Sequence, residues 1–294
     1  MIESGILVMN KPQGFTSFDV IGKLRGILKM KRLGHTGTLD PMATGVLPVL
    51  IGTATKACDI LPDEAKAYAA GFQLGAVTDT QDATGKVLET ATVHVTEDDI
   101  LRLLPRFCGE IEQIPPMYSA IKVKGRKLYE IARRGETVER KARAVTVSSL
   151  TVAGKQNEDY ILNVCCSAGT YVRTLCHDMG QALGCGGCMT QLRRLSSGSF
   201  SVENAHTVRE ICETDKTTVE KWIIPVEQAF ADREAISADA GEEKKLCCGM
   251  SIPREEPDGN YRVYSSGGRF LMLAKAEKGQ RKAEKSFFEV ETHE

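Results

Sequence analysis

No apolar run in this 294-residue chain approaches the length that crosses a bilayer. Its first residues, Met1-Ile2-Glu3-Ser4, lack the basic start and apolar stretch of a signal peptide. Both absences speak against a membrane partner and make the cytoplasm the expected location. Charge of one sign is missing too. The formal net charge is −1, so any nucleic-acid site has to come from local distribution. There is no phosphate-binding glycine loop, no dinucleotide fingerprint, no internal repeat and no low-complexity tract. The hydrophobic share of 42% and charged share of 26% are ordinary for a globular protein. The length allows one large domain plus a small one, with a substantial core.

Ten cysteines without a secretory leader read as reduced thiols rather than a disulfide framework. Cys185-Gly186-Gly187-Cys188 has the spacing of both redox and metal motifs. A structural zinc needs four ligands, and although Cys176 and His177 are near, no second spaced pair accompanies them. Incidental small residues in a glycine-rich loop is the better reading, and no metal is expected.

The most informative stretch runs Gly34-His35-Thr36-Gly37-Thr38-Leu39-Asp40-Pro41-Met42-Ala43-Thr44-Gly45-Val46-Leu47-Pro48. Three glycines and two prolines disfavour a regular helix or strand, so a tight loop is expected, followed by an apolar run, Val46 to Ile51, entering the core. Asp40 is the only carboxylate in the loop, and Pro41 biases it to extended backbone. Two fates are open to it: an Asx-type turn, or a side chain aimed at a ligand.

Around this loop the chain alternates short strands and helices. Gly5 to Met9 reads as a buried strand, ending in the turn signal Asn10-Lys11-Pro12-Gln13-Gly14. Thr16 or Ser17 can cap a helix with apolar positions Val20, Ile21, Leu24, Ile27 and Leu28. A further helix is expected after Gly52, through Lys56 to Leu61. Tyr68, Ala70, Phe72 and Leu74 alternate as one face of a strand, and Thr96 with Asp99 predicts a capping box for a helix to Leu104. Ile161 to Cys166 reads as another strand. A helix then starts at Gly169-Thr170-Tyr171-Val172-Arg173-Thr174, where Tyr171 and Arg173 are placed to face a carboxylate or a phosphate.

Positive charge collects between Lys122 and Arg143, where nine cations face three carboxylates. Gly125 and Gly135 bracket a short helix around Leu128-Tyr129-Ile131-Ala132. A basic segment with little apolar content has the makeup of an arm that closes on a polyanion. The plainer alternative is a solvated surface helix. Lys29, Lys31 and Arg32 lead directly into the Asp40 loop and suit phosphate contact.

The Asp40 stretch resembles the catalytic motif of the TruB family of pseudouridine synthases. Asn-Lys-Pro-x-Gly at Asn10, Lys-x-Tyr at Lys66 and Thr78-Asp79-Thr80-x-Asp82-x-x-Gly85 match it as well. So do Pro115-Pro116-Met117-Tyr118-Ser119-Ala120-Ile121-Lys122, Gly169-Thr170-Tyr171-Val172-Arg173-Thr174 and Leu192-Arg193-Arg194-Leu195. The matches span about residues 5 to 230. The resemblance implies isomerisation of the uridine at position 55, in the T-loop of tRNA, with Asp40 as nucleophile and the target base flipped out. It implies that Arg173 pairs with Asp40, that Tyr68, Tyr171 and Leu192 line the uridine pocket, and that His35 enters the space the base vacates. It makes Lys11, Lys31, Arg32, Lys122, Lys124, Arg126 and Lys127 candidate RNA-backbone contacts. It implies no cofactor, no metal and no guide RNA, and a protein acting as a monomer on the tRNA T-arm stem-loop. A non-catalytic tRNA-remodelling protein is the alternative.

The implied fold is α+β: a mixed, mainly antiparallel sheet flanked by helices, with a small C-terminal PUA-like β-barrel. The expected catalytic domain covers residues 1–232, with 122–143 as a basic insert. The expected RNA-binding domain covers 240–294, after a charged link through Glu242-Glu243-Lys244-Lys245, and contains strand-like Tyr261 to Tyr264 and Phe270 to Ala274.

Overall fold

A computed structural model describes residues 4–62, 65–123 and 125–288. Nine strands form the main sheet: β1 (Gly5–Lys11), β2 (Leu33–His35), β3 (Thr44–Ile51), β4 (Lys66–Leu74), β5 (Gly109–Gln113), β6 (Arg143–Gln156), β7 (Asp159–Cys166), β8 (Gly187–Ser197) and β9 (Phe200–Ser201). Their order is β1-β3-β8-β4-β7-β6-β5, with β2 beside β3 and β9 beside β8. All pairs are antiparallel except β3 with β8.

The apolar run in β3 is continuous because the strand is covered on both faces. Leu47, Val49 and Ile51 join the core beneath the helices, with Leu7 and Met9 of β1. Leu50 and Ile6 point the other way and meet Ala54, Ala57, Val226, Phe230, Leu273 and Phe287. That second cluster fastens the C-terminal sheet to the back of β1 and β3.

Helix α1 (Ser17–Leu28) starts at Thr16, whose hydroxyl and backbone N–H form a reciprocal capping box with Asp19. It buries Val20, Ile21, Leu24 and Leu28, so its apolar face is the one the spacing predicts. Helix α2 (Glu97–Leu103) carries the expected Thr96–Asp99 box. Helix α3 (Leu128–Ala132) follows a hairpin of Lys122–Val123 and Arg126–Lys127, and α4 (Val172–Ala182) packs on β8.

Several expectations shift. The Asp40 stretch is strand at both ends, with only residues 36–43 as loop. Pro48 lies inside β3 opposite Val8, and on its other side Thr36 N–H donates to its carbonyl at 3.1 Å. Thr36 is the first residue past β2, so the bond Pro48 cannot donate falls where that ladder ends. After Gly52 (φ +59°) the chain makes a 3₁₀ turn, Gly52–Ala57, in place of a helix to Leu61. The charged link is a helix, Ala240–Cys247, because Asp239 and Glu242 form a capping box at its start.

The C-terminal unit is a five-stranded sheet in the order Glu234–Ala238, Gly259–Ser265, Phe270–Glu277, Gln280–Ser286, Ile252–Pro253. Its first strand therefore precedes residue 240. No helix among the described residues is long and apolar enough to cross a membrane.

Candidate active site

Asp40 sits at the tip of the loop between β2 and β3. Its carbonyl closes a turn by accepting from Ala43 N–H at 3.0 Å, with Pro41 at the second turn position. Leu39 and Ala43 on either side are buried and anchor the loop. Ser17, left free because Thr16 does the capping, accepts from Leu39 N–H at 3.0 Å. The backbone is held at both shoulders, and the Asp40 side chain reaches out of the loop instead of forming an Asx turn.

It reaches Arg173, in the first turn of α4. Arg173 Nε lies 2.9 Å from Asp40 Oδ2, and Nη2 lies 3.4 Å from Oδ1. The same guanidinium donates to the carbonyls of Thr80 and Tyr118, each at 2.9 Å, and approaches Asp82 Oδ2 at 3.5 Å. Asp82 in turn accepts from Thr80 Oγ1 and Thr84 N–H, at 2.8 and 3.0 Å. Its loop is pinned to β8 by Met189 N–H donating to the Gln81 carbonyl and Ala83 N–H to the Met189 carbonyl. Gln81 takes a left-handed backbone (φ +63°), and its side chain accepts from Thr174 Oγ1 of α4 at 2.8 Å. Arg173 is 5% exposed and Asp82 6%, whereas Asp40 is 37% exposed. Desolvation pushes the Asp40 carboxyl above its ordinary value, and Asp82 adds to that; Arg173 pulls the other way.

Three expected pocket residues come from the sheet and α4. Tyr68 on β4 stands in register with Arg194 of β8 and Val164 of β7. Leu192 stands two pairs further along, opposite Ala70, and so on the same face. Both are buried. Desolvation raises the Tyr68 phenol, and the Arg194 guanidinium beside it pulls the other way. Tyr171 caps α4, and its backbone is gripped both ways by the buried Gln113 side-chain amide: Tyr171 N–H donates to Oε1 at 3.0 Å, and Nε2 donates to the Tyr171 carbonyl at 3.3 Å.

His35 ends β2 at the loop's entrance; burial lowers its imidazole, favouring the neutral ring. Lys31 and Arg32 are exposed just before it, Arg32 bonded to Thr55 Oγ1 at 2.7 Å. Lys122 and Arg126 are exposed, and Lys127 is half-buried against Tyr129. Lys124 lies outside the described residues.

Lys11 departs from expectation. It is fully buried, and its ammonium donates to the carbonyls of Pro12, Phe15 and Pro41, which takes it off the surface. Burial pulls its pKa down to about 8, with Asp40 acting in the opposite direction. Its bond to Pro41, with one from Gly14 N–H, docks the Asn10–Gly14 turn onto the Asp40 loop.

Arg194 was not singled out by sequence reasoning, although it stands in the quoted Leu192–Leu195 motif. It is 1% exposed. Its Nε donates to the Val46 carbonyl at 2.6 Å and its Nη2 to the Gly37 carbonyl at 3.0 Å, so one guanidinium ties both stems of the loop. Gly45 (φ +99°) permits this approach: a Cβ there would lie 2.1 Å from the Arg194 carbonyl oxygen. Gln113 carries no sequence signal, and the motif that contains Asp82 gives that residue no role of its own. Cys185 and Cys188 are buried, and burial pushes Cys188 up to about 11, so that thiol stays protonated. Among the described residues no cluster of three metal-binding side chains occurs.

A mixed sheet presenting one aspartate to a buried arginine defines the class: the fold is that of the pseudouridine synthases. A crystal structure of a Cbf5–Nop10–Gar1 complex matches with a TM-score of 0.73 and 26% identity, over 98% of this chain and 86% of that one. An archaeal box H/ACA sRNP Nop10–Cbf5 complex matches with 0.70 and 25%, over 98% and 87%. Within the class, the chain belongs to the TruB family. The model of the TruB family pseudouridylate synthase N-terminal domain matches residues 25–172, and that of the tRNA pseudouridylate synthase B C-terminal domain matches 173–231. Relatives named tRNA pseudouridine synthase B include one from Clostridium kluyveri, 43% identical over 91% of this chain and 93% of its own. Another, from Aromatoleum aromaticum, is 43% identical over 94% and 90%. The boundary between the two family domains falls inside the main sheet, since β8 lies between β3 and β4.

Proposed function

We propose that this chain converts uridine to pseudouridine at position 55 in the T-loop of tRNA, as a stand-alone cytoplasmic monomer with Asp40 as its nucleophile. One observation carries the assignment: in a network of buried charges, only the Asp40 side chain is partly exposed, at 37%, while its partner Arg173 is at 5% and Asp82 at 6%. A substrate atom can reach that carboxylate and no other in the network. Family membership supports the chemistry, and the relatives named tRNA pseudouridine synthase B support the substrate.

In the reaction the N1–C1′ bond breaks, C5–C1′ forms, C5 loses a proton and N1 gains one. Attack on C1′ and elimination across the ribose both begin at the same carboxylate. Arg173 aims that carboxylate and opposes the desolvation that favours its protonated form. Tyr68, Tyr171 and Leu192 enclose the uracil while it is detached, and His35 fills the gap in the RNA. Residues 1–232 form the catalytic domain, with the arm at 122–143 on the RNA backbone; the C-terminal unit, from Glu234 on, is a second RNA-binding unit.

Tritium release from uracil-labelled tRNA transcript tests this. Wild type should release tritium from bare transcript, with label lost only from the T-loop position. Asp40→Asn should release none while binding within a few-fold of wild type. Turnover by that variant would remove Asp40 from its role, and a requirement for added RNA or protein would move the chain to guided modification.

A further inference from the structure

Phe18 is the most exposed large apolar side chain among the described residues, at 70%. Exposed apolar residues scattered singly are normal, but this one stands at the foot of the catalytic loop. It follows Ser17, whose hydroxyl holds the backbone of Leu39. It lies off the face by which α1 packs, which is Val20, Ile21, Leu24 and Leu28. Its ring meets that of His35 edge to face, with centroids 5.4 Å apart and planes at 84°. His35 has a second oddity: its Nδ1 is buried with no hydrogen-bond partner. A buried polar atom left unpaired is costly, and a partner that the free protein lacks would relieve it.

We infer that the exposed Phe18 ring, braced by its edge-to-face contact with His35, is a platform on which an unpaired base of the substrate RNA stacks, next to the nucleotide that enters the Asp40 site. The inference rests on the function proposed above and adds a stacking site to it. An exposed aromatic ring stacks on any base, because every base has a π-face. The exposed Lys31 and Arg32, just before His35, put positive charge where the flanking phosphates would run. Phe18 supplies the stacking surface, and His35 braces its ring.

The test uses T-arm hairpins carrying 2-aminopurine at one loop position at a time, with wild type, Phe18→Leu and Phe18→Tyr. Wild type should quench one flanking position strongly. Phe18→Leu keeps an apolar side chain without a π-face; it should bind about tenfold more weakly and no longer quench that position. Phe18→Tyr should retain both within about twofold. Melting midpoints should be unchanged, because the ring is exposed, which separates a stacking defect from a folding defect. Phe18→Leu binding and quenching like wild type would overturn the platform while leaving the enzymatic reading intact. Wild type that binds and quenches without isomerising the uridine would overturn the enzymatic reading instead.

Discussion

The catalytic centre and the arm at 122–143 both carry cations, and they hold them in opposite ways. At the centre Arg173, Arg194 and Lys11 are all buried, each with fixed partners: two carboxylates for Arg173, two carbonyls for Arg194, three carbonyls for Lys11. In the arm Lys122, Arg126, Arg133 and Arg134 are exposed, and among the described residues none of them pairs with a carboxylate. What order the arm has comes from Leu128 and Ile131 packing inward and from Lys127 and Arg133 lying over Tyr129. Buried cations fix geometry because losing a partner strands a desolvated group. Exposed cations are held by little and remain available to an outside polyanion.

The sharpest way to break the contrast is Arg173→Met, which strands Asp40 and Asp82 together. Turnover should fall by about a thousandfold or more, with stability down by about 3–5 kcal/mol in a urea melt. If binding alone weakened, Arg173 would be acting as a phosphate contact. Next comes Arg194→Met, which leaves the Gly37 and Val46 carbonyls without donors. It should cost about 2–4 kcal/mol of stability and slow turnover more than it weakens binding, because the loop stems part while the outer surface is unchanged. Arg194→Lys should recover part of both.

Neutralising the exposed Lys122, Arg126 and Arg134 to Gln should do the reverse: the melt unchanged, tRNA affinity reduced, and the log–log salt slope smaller by about one unit for each phosphate that the arm no longer neutralises. An unchanged slope would make the arm only a solvated surface.

The smallest effect concerns Lys11. The unfolded chain keeps that proton up to the ordinary lysine value of 10.5, and the folded chain releases it near 8. Between those values unfolding takes up a proton, so the folded state gains stability as pH rises. Stability measured from pH 7.5 to 10 should climb more steeply in wild type than in Lys11→Met. Parallel curves would mean that the ammonium is not strained by its burial.

Much of this was written locally. The Thr16–Asp19 and Thr96–Asp99 boxes, the alternation through Tyr68 and Phe72, and the helix start before Arg173 depend on neighbours a few residues apart, and such patterns can be read along a chain. The aspartate loop was also legible, since prolines and glycines state their backbone needs directly. Its extent was overread because Pro48 looks like a strand breaker until its partner strand is seen to end at His35.

What only the tertiary structure decided is how distant residues share charge. Asp40 and Arg173 are 133 residues apart, and Arg194 reaches Gly37 across 157. Lys11 reads as a surface lysine beside a turn, yet it is wholly buried, because three carbonyls converge on its ammonium from two separate loops. Asp82 and Gln113 carry ordinary side chains in ordinary surroundings of sequence, and their work appears only when the sheet brings α4 between them. Sequence settled which residue types stood ready and which local turns held them. Burial, and with it the choice between a solvated charge and a positioned one, is a property of the packed sheet and helices, since desolvation depends on everything that surrounds a group in space.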